Sequence, residues 1–129
     1  MTTMTLILCT LMAAFVAGGN ENIVFPADAG VINVKAPPYS AQGDGIADDT
    51  QAIQRAIRDH MRGGILYFPN GTYLVSSTLT WSKKNTSGQE CWGNFTIQGQ
   101  SASGTILRLK DGAFRDAKAP RAIMWCGGF

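Results

Sequence analysis

Three aspartates crowd one short stretch of the chain: Asp44, flanked by Gly43 and Gly45, and the adjacent Asp48 and Asp49, which run into Thr50. Carboxylates at such density suggest two chemistries, a divalent-cation loop and a general acid/base pair. A calcium loop of the EF-hand type needs oxygen ligands at alternating positions and a later bidentate glutamate, and that spacing is missing. Glycoside hydrolysis needs two carboxylates that flank a bond from different sides. Asp48 and Asp49 are neighbours at a predicted helix start, where successive side chains diverge around the axis, so they do not form such a pair. Turn and cap chemistry accounts for all three. Aspartate folds back on its own backbone in turns, and at a helix start it accepts hydrogen bonds from free N–H groups. No catalytic, cofactor-binding or metal-binding residue is assigned here.

Other candidates are few. The chain has no G-x-S-x-G, phosphate-binding loop, dinucleotide fingerprint or H-E-x-x-H. Its single histidine, His60, falls near the end of the predicted helix, and its cysteines lack zinc-ligand spacing. Tyr67, Phe68, Tyr73, Trp81 and Trp92 could line a surface on which pyranose rings stack. Aromatic residues at alternating strand positions more often fill a core, and that is the reading adopted. Asn70-Gly71-Thr72, Asn85-Thr86-Ser87 and Asn94-Phe95-Thr96 fit the N-glycosylation pattern, which matters only in a eukaryotic secretory host. Asn70-Gly71 also reads as a turn.

The elements around these residues follow from pattern. Asp48 or Asp49 caps a helix from Asp49 to about His60, with Ala52, Ile53, Ala56 and Ile57 as its apolar stripe and Gln54, Arg55, Arg58 and Asp59 toward water. Gly63-Gly64 stops it. Short β runs are expected at Ile23–Pro26 and Val31–Lys35 before the helix. After it come Ile65–Phe68, the turn Pro69-Asn70-Gly71, Thr72–Val75 and Ser77–Trp81. A polar loop over Ser82–Glu90 separates these from Phe95–Ile97, Thr105–Leu109 and Ala122–Trp125. Short strands between turns suggest a sandwich, a barrel or a β-solenoid, and pattern alone does not choose.

With 129 residues, 45% of them hydrophobic and 16% charged, the chain has the composition of one small globular domain. Its formal charge is +2 and its cations are scattered among acids, which excludes a basic stripe for nucleic acid. Residues 1–19 hold no charged side chain and carry an apolar run, Leu6 to Val16, before Ala17-Gly18-Gly19. They read as a secretory signal cleaved after Gly18 or Gly19, leaving a domain over 20–129 that is secreted or periplasmic. The run is shorter than the roughly 18 apolar residues a membrane span needs, so no stable membrane anchor is expected. Cleavage removes Cys9 and leaves Cys91 and Cys126. In an oxidising compartment these form either one disulfide, contributing about 3 kcal/mol in the chain-entropy model, or two buried thiols.

Three segments together resemble a known family. They are Val34-Lys35, then Tyr39 to Gln54 with its Gly43-Asp44-Gly45 and Asp48-Asp49-Thr50, then Gly63 to Val75 with Pro69, Gly71 and Tyr73. In this order they look like the N-terminal module of the pectate lyase superfamily, which includes polygalacturonase-like, rhamnogalacturonase-like and epimerase-like proteins. The resemblance covers Val31 to Leu109. It implies a mainly β fold, a right-handed parallel β-helix whose N-terminal end is covered by the helix from Asp49. A solenoid's first coil exposes apolar surface and unpaired strand edges, which such a helix would cover. Polygalacturonase-like members often carry a cysteine near the end of that helix, where this chain has Asp59-His60-Met61, so the lyase/epimerase-like branch fits better. Family catalytic residues lie on later coils, and the chain reads as the front of a longer protein whose remaining coils are its partners. The implied ligand is a polysaccharide, acted on by hydrolysis or β-elimination, with no cofactor in this stretch and calcium left to later coils. The rival readings are a non-catalytic glycan-binding or surface-adhesion module and, disfavoured by the leader, a viral tailspike.

Overall fold

The computed structural model describes residues 23–84 and 90–126, those of 82–84 and 90–92 at the level of the backbone. The chain winds through three coils. The first contains β1 (Val31–Asn33), β2 (Asp44–Asp48) and α1 (Thr50–Asp59). The second contains β3 (Ile65–Phe68), β4 (Gly71–Val75) and β5 (Leu79–Thr80), after which β6 (Ser82–Lys84) and β7 (Glu90–Trp92) form an antiparallel hairpin. The third contains β8 (Thr96–Gly99), β9 (Thr105–Leu109) and β10 (Met124–Trp125).

Equivalent strands of successive coils pair in parallel, giving sheets in the order β1-β3-β8, β2-β4-β9 and β5-β10. The register stacks Ile32 on Leu66 on Ile97 and Tyr73 on Leu107 along the axis of the coil, with that face of each strand turned inward. The result is mainly β and is a partial parallel β-helix with one helix. Its core joins Val34, Ala41, Leu66, Phe68, Tyr73, Val75 and Leu79 with Ile53, Ala56 and Ile57 of the helix. The three helix residues are fully buried, as the apolar stripe requires.

The third sheet is one strand short, and α1 lies where the first coil would supply that strand. Gln54 faces the free edge of β5 and imitates a neighbouring strand. Its Nε2 donates to Thr80 O at 2.7 Å, and Thr80 N donates to its Oε1 at 2.9 Å. One turn earlier, Thr50 Oγ1 accepts from Ser76 N at 2.7 Å. Gln54 therefore does not face water as its polarity suggested, because its amide satisfies strand-edge backbone that would otherwise be left without a protein partner. Gln54→Ala is expected to cost about 1–2 kcal/mol by removing both bonds, measured as a urea-midpoint shift at constant slope. An unchanged midpoint would remove this role.

Three further expectations change. Ile23–Pro26 is not a strand; Phe25 instead packs edge-on against Tyr67, with ring centroids 4.8 Å apart. Asp44–Asp48, read as a turn, is the strand β2, with a register shift that sets it against only Thr72 to Leu74 of β4. The polar segment Ser82–Glu90, read as a loop, carries the strands of the β6–β7 hairpin at its two ends.

Candidate functional site

The two glycine-rich turns, far apart in sequence, interlock at the junction of the first and second coils. Gly43 is the pivot. Its amide donates to Asp49 Oδ2 at 3.0 Å, and the Gln42 amide donates to Asp49 Oδ1 at 2.6 Å. Its carbonyl accepts from Thr72 N at 3.0 Å. A Cβ on Gly43 would stand 2.8 Å from Lys35 Cε and from Cε1 of the Tyr73 ring, at a φ of 60°. A Cβ on Gly71 would stand 2.5 Å from the Gly43 carbonyl oxygen. Tyr73 is fixed beneath by donating from its hydroxyl to Pro69 O at 2.7 Å. Lys35 closes the knot from the side, with Nζ donating to Asn70 O at 3.2 Å and lying 5.6 Å from the Tyr73 ring centroid.

Each aspartate has a structural task, and one differs from expectation. Asp44 Oδ1 accepts from the amides of Ile46 and Ala47, both at 2.8 Å, which folds the start of β2 around its own side chain. Asp48 Oδ1 accepts from Thr50 N at 3.1 Å and Thr50 Oγ1 at 2.5 Å, so Asp48 satisfies a free amide of the first helical turn. Asp49 occupies the N-cap position but makes no side-chain cap bond. Its carboxylate, 2% exposed, turns back to the Gln42–Gly43 amides instead. Gly45 completes the set, with its carbonyl accepting from Arg108 Nη2 at 3.3 Å.

The Ile46 and Ala47 amides hold the Asp44 carboxyl below its ordinary value. Burial pushes the Asp48 carboxyl up, but the hydroxyls of Thr50 and Ser76, the Thr50 amide and Lys110 outweigh it and leave it lowered. A lowered carboxyl stabilises the fold above the unfolded-state value and loses that contribution as pH falls through the folded-state value. Stability should therefore fall as pH drops below the ordinary aspartate range, and Asp48→Asn should flatten that acid limb in urea melts taken across it. An unaltered limb would exclude Asp48 as its source.

The aromatic residues read as core are largely core. Tyr67, Phe68 and Tyr73 are 2%, 5% and 0% exposed, and Trp81 packs edge-on against Phe95 at 5.7 Å. They do not form a sugar-stacking face; the side chain of Trp92 lies outside the described residues. Burial, then Asp49 and Tyr67, pushes the Tyr73 phenol well up, in keeping with its donor role. His60 belongs to a surface cluster in which Tyr39 Oη lies 2.8 Å from His60 Nε2 and donates to Asp59 Oδ2 at 3.3 Å, while Asp59 pairs with Arg55 at 3.8 Å. This ties the loop before β2 to the end of α1. Among the described residues no group of His, Cys, Asp and Glu could hold a metal ion, and no helix is long and apolar enough to cross a membrane.

A shallow groove lies over the outer face of β5 and β10. It is lined by Thr78, Thr80, Pro120, Arg121, Ala122 and Trp125 and has a volume of about 370 Å³. The sequence marks Ala122–Trp125 as a strand but not which of its faces is outward. Strand alternation sends Met124 inward and Trp125 outward. Of the sequons, Asn70 is engaged, its Oδ1 accepting from Ser101 Oγ at 2.9 Å, Asn94 is exposed, and Asn85 lies outside the described residues. Cys126 is an exposed free cysteine; the side chain of Cys91 lies outside the described residues, as do residues 1–19 with the expected leader.

The interlocked turns and the strands β1 to β9 fall within the match to known proteins. The sequence model of a family described as "Rhamnogalacturonase A/epimerase, pectate lyase-like" covers residues 31–119. The chain is 60% identical over 44 residues to plasmin and fibronectin-binding protein A of Streptococcus pneumoniae, which is 32% of this chain and 6% of that protein. It is 35% identical over 97 residues to mannuronan C5-epimerase AlgE3 of Azotobacter vinelandii, which is 71% of this chain and 5% of that one. A solved structure, Geobacillus virus E2 ORF18, is similar at 34% identity with a TM-score of 0.48, over 64% of this chain and 16% of that one. The chain thus spans a small fraction of the length of each relative.

Proposed function

This chain belongs to the rhamnogalacturonase A/epimerase, pectate lyase-like family, which is associated with polysaccharide-active enzymes, and from that membership we propose that it is the end cap and opening coils of an exported protein that hydrolyses polysaccharide or cleaves it by β-elimination. The observation that carries this reading is the asymmetry of the stack. One end is closed by α1, while β8, β9 and β10 each pair with only one neighbour among the described residues. Ile97, stacked on buried Leu66 at that end, is 39% exposed. Further coils of the same protein fit on that end, and the catalytic groups, with calcium if the reaction uses it, belong to them.

The three aspartates supply no chemistry in this reading, because every carboxylate is committed to backbone or to Thr50. The chain should be retarded in gels containing polygalacturonate, alginate or β-1,3-glucan, while releasing no reducing ends and no unsaturated uronate from any of them. Cleavage abolished by Asp44→Asn would overturn the assignment of chemistry to other coils. No retardation in any gel would count against glycan as the ligand.

A second reading is supported by the short, high-identity match to the plasmin and fibronectin-binding protein. In it the coils serve as a non-catalytic adhesion module. Capture of plasmin or fibronectin by the chain, with no retardation in any glycan gel, would favour it.

A further inference from the structure

We propose that Asn70-Gly71 is a covalent-modification site, a deamidating pair that the turn of the third coil holds inert, so that it converts to isoaspartate only when that turn lifts off the second coil. Water is the co-reactant, and the modification records opening of the uncapped end of the stack.

Asn70-Gly71 is the only Asn-Gly pair in the sequence. In an unconstrained chain this pair is asparagine's most reactive context, because glycine has no side chain to hinder attack of its own nitrogen on the preceding amide. The Gly71 N–H gives its proton to solvent base, the nitrogen bonds to Asn70 Cγ, and the Cγ–Nδ2 bond breaks with loss of ammonia. Water then opens the cyclic imide. Breaking the new bond to Cγ leaves an aspartate, whereas breaking the original peptide bond leaves isoaspartate, with the main chain rerouted through Cβ.

Packing demands both residues of this labile pair. Position 71 takes only glycine, since a Cβ there would stand 2.5 Å from the Gly43 carbonyl oxygen. Asn70 joins the second coil to the third, its Oδ1 accepting from Ser101 Oγ at 2.9 Å and Thr105 Oγ1 at 3.4 Å.

The same contacts block the reaction. The Gly71 N–H is committed to Gly104 O at 2.8 Å, which keeps the proton on the nucleophile. The Asn70 side chain is turned toward the third coil, where a Cβ on Gly104 would stand 2.5 Å from its Cγ and Oδ1. Asn70 N donates to Gln100 Oε1 at 2.9 Å, and Gly104 N donates to Ser101 Oγ at 3.0 Å. One segment, 100–105, therefore supplies all of these restraints.

That segment joins β8 to β9, each of which pairs with only one neighbour among the described residues, and Ala102 and Ser103 at its tip are exposed. Its opening is a local event that costs less than global unfolding. It frees the N–H and the side chain together and admits water. Isoaspartate then makes the opening one-way. It adds a main-chain atom just before β4 and turns the Asn70 carbonyl, which accepts from Lys35 Nζ at 3.2 Å, into a free carboxylate. The close approach of Gly71 to Gly43 leaves no slack for the longer turn.

The test incubates the full chain in mildly alkaline buffer, native and in guanidinium, and follows ammonia release, enzymatic methyl labelling of isoaspartate and peptide mass. The native chain should deamidate at least about tenfold more slowly than the unfolded one, with the mass gain of amide to acid confined to the peptide that holds Asn70. Ser101→Ala removes the bond to Asn70 Oδ1 and the bond from Gly104 N, and should speed the native reaction about fivefold. Ile53→Val lowers global stability from the capped end without touching this turn, and should leave the rate within about twofold. Below the unfolding transition the native rate should rise only weakly with urea, because local opening exposes little surface. Native deamidation as fast as in guanidinium, a mass gain at another asparagine first, or equal acceleration by Ser101→Ala and Ile53→Val would each overturn the proposal. If Ser101→Ala does not fold, the urea dependence of the wild-type rate decides, and a slope equal to that of global unfolding overturns it. None of these readouts depends on a glycan.

Discussion

Asp49→Ala is expected to lower stability by about 3–4 kcal/mol, well above the roughly 1 kcal/mol lost with an ordinary helix cap. The difference follows from where the carboxylate points. It accepts from the amides of Gln42 and Gly43 at 2.6 and 3.0 Å, and the residue is 2% exposed. Truncation strands two amides, one of them in a buried bond, where water does not replace the lost acceptor. Asp49→Asn keeps the shape but must turn an NH₂ toward one of two donors, so it should recover less than half of the loss. The expected thermal shift for alanine is on the order of 15 °C for a domain of this size. A loss near 1 kcal/mol, fully rescued by asparagine, would return Asp49 to a simple cap.

Gly71→Ala should be comparably damaging through the opposite side of the same turn. Its Cβ would stand 2.5 Å from the Gly43 carbonyl oxygen and 3.0 Å from Lys35 Nζ. That oxygen cannot retreat cheaply, because it accepts from Thr72 N at 3.0 Å and the Gly43 amide is bound to Asp49. Overpacking against fixed backbone plus the strained Thr72 bond amounts to about 3–4 kcal/mol. Both substitutions release Gly43, so the double variant should lose clearly less than the sum of the two. Strict additivity in urea melts of the cycle would show that the two turns are not one unit.

This interlock explains how much of the fold could be read in advance. The glycines, Asp49, Pro69 and Tyr73 stood out as a paired signature, and the structure gives the physical reason: they touch. The apolar stripe of α1 was legible because a period of 3.6 residues reports burial directly. Other features were hidden where side chains replace backbone. Asp44 folds β2 around its own carboxylate, so a strand carries the composition of a turn. Gln54 is polar because it bonds a strand edge, and polarity alone does not separate that from solvent exposure. Asp49 sits at the N-cap by position yet serves residues upstream of it, a partnership that spacing rules for caps do not contain. Trp125 is sent to an outer face only when β10 finds β5, one full coil earlier in the chain.

The Gln54 amide laid along β5 also gives the stack a polarity of growth. In the language of polymers, the coil has one terminated end and one propagating end. A single glutamine acts as the chain stopper, presenting one donor and one acceptor in strand register and then continuing as helix. Without it, Thr80 would offer both groups to any extended segment, including the β10 edge of another molecule. Gln54→Ala should therefore do more than lower stability; it should make the protein's association depend on concentration.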